Sequence, residues 1–221
     1  MVKRTKLTER ELPGYSRGEE MWNMSLHIAG SVLGLVALVW CLILSQTPVA
    51  VVTSIVYGGT MILLYTTSSI YHGLRNPMTK KVFQVIDHCM IYVYIAGTYT
   101  IIALVSLRPE YPVLAWVAVA FQWGIAALAV TLTAIDLKRY QVFSMACYII
   151  MGWSALVAIG PVLKVLGPVG AALLLLGGVS YTIGAILYMV GRGRRYIHAV
   201  FHVFILLGSL LQLFCIVFYV F

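Results

Sequence analysis

Apolar residues fill long stretches of this chain without alternation, and polar positions are confined to short breaks between them. The apolar runs cover residues 24–45, 49–71, 83–107, 111–135, 140–159, 167–190 and 196–221. Each is about 20 to 26 residues long, enough for a helix to cross a bilayer with some tilt. The breaks carry turn and helix-stop residues: Pro48, Asn76 with Pro77, Pro109 with Pro112, Asp136, Pro161 with Pro168, and Gly191 with Gly193. The pattern predicts an all-α membrane protein, a bundle of seven transmembrane helices. Short connections make successive helices antiparallel neighbours. Residues 1–22 form a short amino-terminal segment and residues 23–221 the transmembrane domain.

Composition agrees. Hydrophobic residues make up 62% of the chain and charged residues 10%, against roughly a quarter charged in soluble domains. The bases are segregated. Lys3, Arg4, Lys6, Arg10, Arg17, Arg75, Lys80, Lys81, Lys138, Arg139, Arg192, Arg194 and Arg195 fall on one side, and Arg108 and Lys164 on the other. Cytoplasmic loops carry the excess of bases, so the amino terminus is expected in the cytoplasm and the carboxyl terminus outside. Topology and attraction to anionic headgroups then explain the net charge of +8 without nucleic acid. The first apolar run follows Glu19 and Glu20 and is long enough to span, so it reads as a retained helix, not a cleaved signal. Cys41, Cys89, Cys147 and Cys215 are far apart in apolar runs with no Cys-x-x-Cys, which suggests small buried hydrophobes.

The histidines change the picture. His198 and His202 are four residues apart, on one face of the last span. Taking 1.5 Å per residue, they lie roughly 5 and 10 Å inward of Arg195. His72 lies about 5 Å inward of Arg75, and Asp87 with His88 about 10 Å inward of Lys81. His27 opens the first span. All the histidines, and Asp87 as the one acid well inside a span, share the cytoplasmic leaflet. Buried ionisable groups in a membrane are costly and point to function. Two imidazoles from the last span and His72 from the second give a three-histidine zinc site with its fourth position open, the pattern of catalytic zinc. Asp87 would accept a proton from water there, and Ser68, four residues before His72, would orient an imidazole or a water. His27 and His88 read as interfacial or hydrogen-bonded to a neighbour.

Several motifs resemble the hemolysin III proteins of bacteria, a branch of the progestin and adipoQ receptor family. They are Glu19-Glu20-x-x-Asn23-x-x-x-His27-x-x-Gly30, Ser68-x-x-x-His72, Asp87-His88-x-x-Ile91-Tyr92-x-x-Ile95-Ala96-Gly97-Thr98-Tyr99, Met151-Gly152-Trp153, Gly177-Gly178-x-x-Tyr181-x-x-Gly184, and His198-x-x-x-His202 followed by Leu207-Gly208-Ser209. The resemblance covers nearly the whole chain. It implies seven helices, a cytoplasmic amino terminus, and zinc held by His72, His198 and His202. It also implies that Asp87 contacts the zinc through water, with Ser68 beside the site. Ile101 stands where many relatives have proline, so the third helix is expected to be less kinked. Gln212 stands where many bacterial relatives have histidine. The longer amino-terminal region of the hormone-receptor branch is lacking, which argues against hormone recognition.

Two classes of function stay open. One is a zinc-dependent hydrolase of a ceramide-like lipid amide in the inner leaflet of the bacterial cytoplasmic membrane, with Asp87 managing the proton. Membrane lipids, fatty acids or similar amphiphiles would be its partners. The other is a non-enzymatic protein with structural zinc, acting as a cytolysin or in membrane lipid and energy homeostasis. A weaker signal, Gly30-x-x-x-Gly34, would seat another helix closely, within the chain or between chains.

Overall fold

A computed structural model describes residues 5–191 and 193–221; among them no strand occurs. Lys3, Arg4 and Arg192 of the basic set lie outside the described residues. The helices are α1 (Arg17–Leu44), α2 (Pro48–Gly73), α3 (Pro77–Ile101), α4 (Pro112–Ile135), α5 (Gln141–Trp153), α6 (Ile159–Val190) and α7 (Ile197–Cys215). Their starts follow local chemistry. Ser16 and Glu19 form a reciprocal capping box at α1. Thr47 caps α2 and Asn76 caps α3, each followed by a proline at the first helical position.

Six helical runs among the described residues are long and apolar enough to cross a membrane, so the chain is an all-helical multi-pass membrane protein. Two of the expected spans, 140–159 and 167–190, fall within one of them, Gln141–Val190. A 3₁₀ segment, Ser154–Ala158, joins α5 to α6, and helical structure continues through Pro161. Within α6, Gly167 alone leaves the helical region, at φ 66° and ψ 173°. A residue before proline is pushed out of the α region, and glycine reaches positive φ without a side-chain clash.

α1 starts at Arg17, well before its apolar run; it is capped by Ser16, and Glu19 and Asn23 on its inner face are buried. Glu19, Asn23, His27, Gly30, Gly34, Ala37 and Cys41 are its buried residues, a stripe at helical spacing. The stripe packs on α2 and α7. The glycine pair is used inside the chain: Gly30 lies against the Tyr65 ring, and a Cβ at Gly34 would stand 3.0 Å from the Ile62 backbone nitrogen. α3 ends in a π segment, Ile102–Leu107, in which the Arg108 amide donates to Ala103 at 2.8 Å. Thus α3 widens near Ile101 without a proline. α7 also ends in a π segment, Ile216–Val220, and the Ser106 hydroxyl donates to the Val220 carbonyl at 3.3 Å. Outward faces carry exposed Ile43, Val113 and Val157, as expected where lipid is the solvent.

The two ends of the bundle differ. At one end the amino-terminal segment lies across the helices: the Thr5 amide donates to Asp136 at 2.8 Å and Lys81 donates to the Thr8 carbonyl at 2.8 Å. At the other end Lys164 pairs with Glu110 at 2.7 Å.

Candidate metal centre

The histidine cluster lies at the end covered by the amino-terminal segment. His72 is the penultimate residue of α2, and His198 and His202 are in the first two turns of α7. His72 and His202 are buried and His198 is half-buried. One ring nitrogen from each lies within 4.8 Å of the others. The Nε2 atoms of His72 and His202 are 3.3 Å apart. Two nitrogens each about 2.0–2.1 Å from a tetrahedral metal lie about 3.3–3.4 Å apart, so this spacing suits a shared ion. The three imidazoles can therefore hold a metal ion.

Neighbouring helices set these rings. The Glu19 carboxylate accepts three hydrogen bonds: one oxygen takes the Ser16 amide at 2.9 Å and the Ser16 hydroxyl at 2.7 Å, the other the Tyr196 amide at 2.8 Å. Tyr196 precedes α7 at φ 61°, a conformation uncommon for a residue with a side chain. The Glu19 contact holds that entry, and so ties the start of α7 to α1. His202 Nδ1 lies 2.6 Å from Nε2 of His27, which is buried on α1. His72 Nδ1 lies 2.6 Å from a Glu20 carboxylate oxygen. Asn23 Nδ2, at 3.5 Å from the same Nδ1, is too far to compete.

Tyr15, just before α1, stacks on His198 with ring centroids 4.8 Å apart and 20° between planes. Burial, with Tyr188, Glu20, Glu19 and Asp87 nearby, pushes the Tyr15 phenol above its ordinary pKa, so this cover stays uncharged.

Asp87 and Ser68 line a cavity of about 160 Å³ together with His27, His198 and His202. Its walls are mainly apolar and include Ile91, Ile95, Met145 and Trp153. Asp87 is brought to the cavity but not into contact with the three histidines: its carboxylate is 3.6 Å from His88 Nδ1. His88 is hydrogen-bonded within its own helix, with Nδ1 2.8 Å from the Gln84 carbonyl. His27 also has a hydrogen-bonding neighbour, but that neighbour is His202, so it belongs to the cluster. Glu20, Lys80 and Tyr15 also belong to the site, and sequence alone gives them no role there. Glu20-x-x-Asn23-x-x-x-His27 did carry a signal, because these residues share one helix face in an otherwise apolar stretch.

Fold and site together define an integral membrane helix bundle with a buried histidine cluster able to hold a metal ion. The family model described as Haemolysin-III related matches residues 15–213. The chain is 38% identical over 205 residues to the "Hemolysin-3" of Bacillus cereus, covering 91% of this chain and 92% of that protein. It is 33% identical over 204 residues to the "Hemolysin-3 homolog" of Bacillus subtilis (strain 168), covering 91% and 94%. The chain belongs to the hemolysin III family.

Proposed function

We propose that His72, His198 and His202 hold a zinc ion and that the chain hydrolyses the amide bond of a ceramide-like amphiphile. The observation that carries this reading is the convergence of three imidazoles, two of which, His198 and His202, line a mainly apolar cavity. Three protein ligands leave the fourth position of a tetrahedral ion open. Zinc bound there supplies Lewis acidity, polarising a carbonyl and acidifying water. The apolar walls at Ile91, Ile95 and Met145 bind an acyl chain and exclude water from it. Asp87 takes the proton released on attack and returns it to the leaving amine. Ser68 donates a hydrogen bond to the amide carbonyl or to the attacking water.

The proposal places the chain in a bacterial cytoplasmic membrane, with the histidine-bearing end and amino terminus in the cytoplasm. Residues 1–22 form the cytoplasmic segment and 23–221 the membrane domain. A straight helix of the 50 residues of Gln141–Val190 would be about 75 Å long, far beyond a bilayer core of about 30 Å. Gly167 divides it into two crossings, for seven in total, and the carboxyl terminus lies outside. Purified protein incubated with labelled ceramides and other acyl amides tests the activity. Release of fatty acid by wild type and not by His202→Ala is expected; equal release by both refutes it.

The names of the two Bacillus relatives favour a second reading, lysis of membranes with zinc in a structural role. Leakage from liposomes that follows protein dose and survives loss of the histidines would select it.

A further inference from the structure

We infer that Glu20, clamped by Lys80, is the positioning residue that fixes His72 for metal binding; this rests on the three-histidine zinc reading. Glu20 is in the first turn of α1, while His72 is in the last turn of α2. One Glu20 oxygen is 2.6 Å from His72 Nδ1 and the other 2.8 Å from Lys80 Nζ. Lys80 is buried on α3. Its ammonium also donates to the carbonyls of Tyr71 at 3.0 Å, His72 at 3.3 Å and Leu74 at 3.2 Å. Three helices therefore meet at this one ion pair.

The chemistry follows from the donor inventory. An ionised carboxylate accepts hydrogen bonds and donates none, so His72 must carry its proton on Nδ1. Its Nε2 lone pair is then free, and Nε2 is the atom 3.3 Å from His202 Nε2. Without Glu20 the ring has two tautomers and no fixed rotation. The His72 backbone needs a restraint as well, because the last carbonyls of a helix have no partners within it. Lys80 supplies that restraint and holds Glu20 in the same act. His202 has a different arrangement, an imidazole partner in His27, so the carboxylate device belongs to His72 alone among these two ligands.

An ion pair that merely joins α1 to α3 would make another prediction: its loss would lower the melting temperature of the metal-free protein and leave metal affinity alone. The test is zinc affinity of the full-length protein in detergent, by chelator competition, with cobalt(II) absorption as a second probe. Glu20→Gln keeps the shape and removes the charge; Glu20→Ala removes both. Metal-free melting temperature is measured for each. Loss of a carboxylate partner of a metal-bound histidine weakens affinity about 10- to 100-fold. The expected result is a loss of that size in Glu20→Gln; loss of the Lys80 pair also lowers the metal-free melting temperature, so the affinity of the folded protein, measured well below that temperature, is the deciding readout. The cobalt spectrum would keep its four-coordinate intensity at saturation. Wild-type affinity in both variants overturns the inference and leaves the zinc reading standing. A wild-type protein that binds neither metal overturns the zinc reading, and this inference with it. Should Glu20→Ala fail to fold, Glu20→Gln decides alone.

Discussion

Replacing Gly30 by alanine would disturb both the α1–α2 seam and the site above it. A Cβ at this position would stand 2.5 Å from Tyr65 Cγ and 2.6 Å from Cε1. Carbon atoms settle at about 3.5–4.0 Å, so the ring would have to retreat by about 1 Å. The ring is not free to swing. It is fully buried on α2, and its hydroxyl is 2.6 Å from Ser209 on α7. Overpacking of this kind costs about 1–3 kcal/mol, and a lost Tyr65–Ser209 hydrogen bond about 1 kcal/mol more. Alanine recovers up to about 1 kcal/mol in helix propensity. The net loss is about 2 kcal/mol, or about 4–8 °C in melting temperature for a chain of this size. Gly59 on α2 is the control, because a Cβ there meets nothing within 4 Å. Gly59→Ala is expected to be neutral or to raise the melting temperature slightly. The assay is thermal unfolding of both variants in one detergent. Equal melting temperatures would refute the packing argument. His27, whose ring centroid is 5.3 Å from that of Tyr65, would carry the disturbance into the site, so Gly30→Ala should also weaken zinc binding while Gly59→Ala should not.

His27→Leu leaves His202 Nδ1 buried without its partner, at a cost of about 1–3 kcal/mol, read as a lower melting temperature of the metal-free protein. Asp136 anchors the amino-terminal segment and responds to pH. Its burial alone would raise its pKa, but the Thr5 and Arg139 amides donating to it outweigh this and hold it below the ordinary value. A lowered folded-state value means the stabilisation is full above the ordinary aspartate range, near 3.9, and is lost as pH falls through the lower one. Hydrogen exchange of residues 5–10, corrected for intrinsic rates, should show protection at pH 6 that Asp136→Ala removes and that falls away in wild type below about pH 4.

The sequence carried the site further than it carried the element boundaries. The four-residue spacing of His198 and His202, with the depth of His72 and Asp87, was enough to place the histidines together. The partners that fix them were harder to find. Glu20 meets His72 only because α1 packs on α2, and no local pattern states that register. Tyr15 precedes every apolar run, so hydropathy had nothing to say about it. Apolar runs mark where a helix faces lipid, and α1 begins before its run because Glu19 and Asn23 face protein instead. Likewise Pro161 looked like a break, yet the helix leaves its regular path at Gly167, where positive φ and the following Pro168 coincide.

The central claim is that His72, His198 and His202 hold zinc. Its most direct test is the metal content of protein purified without chelators, for wild type and for the triple alanine variant at these positions, by elemental analysis. One zinc per wild-type chain and none in the variant is the expected result. Zinc retained by the triple variant, or absent from a wild-type protein that also takes up none from solution, would contradict it.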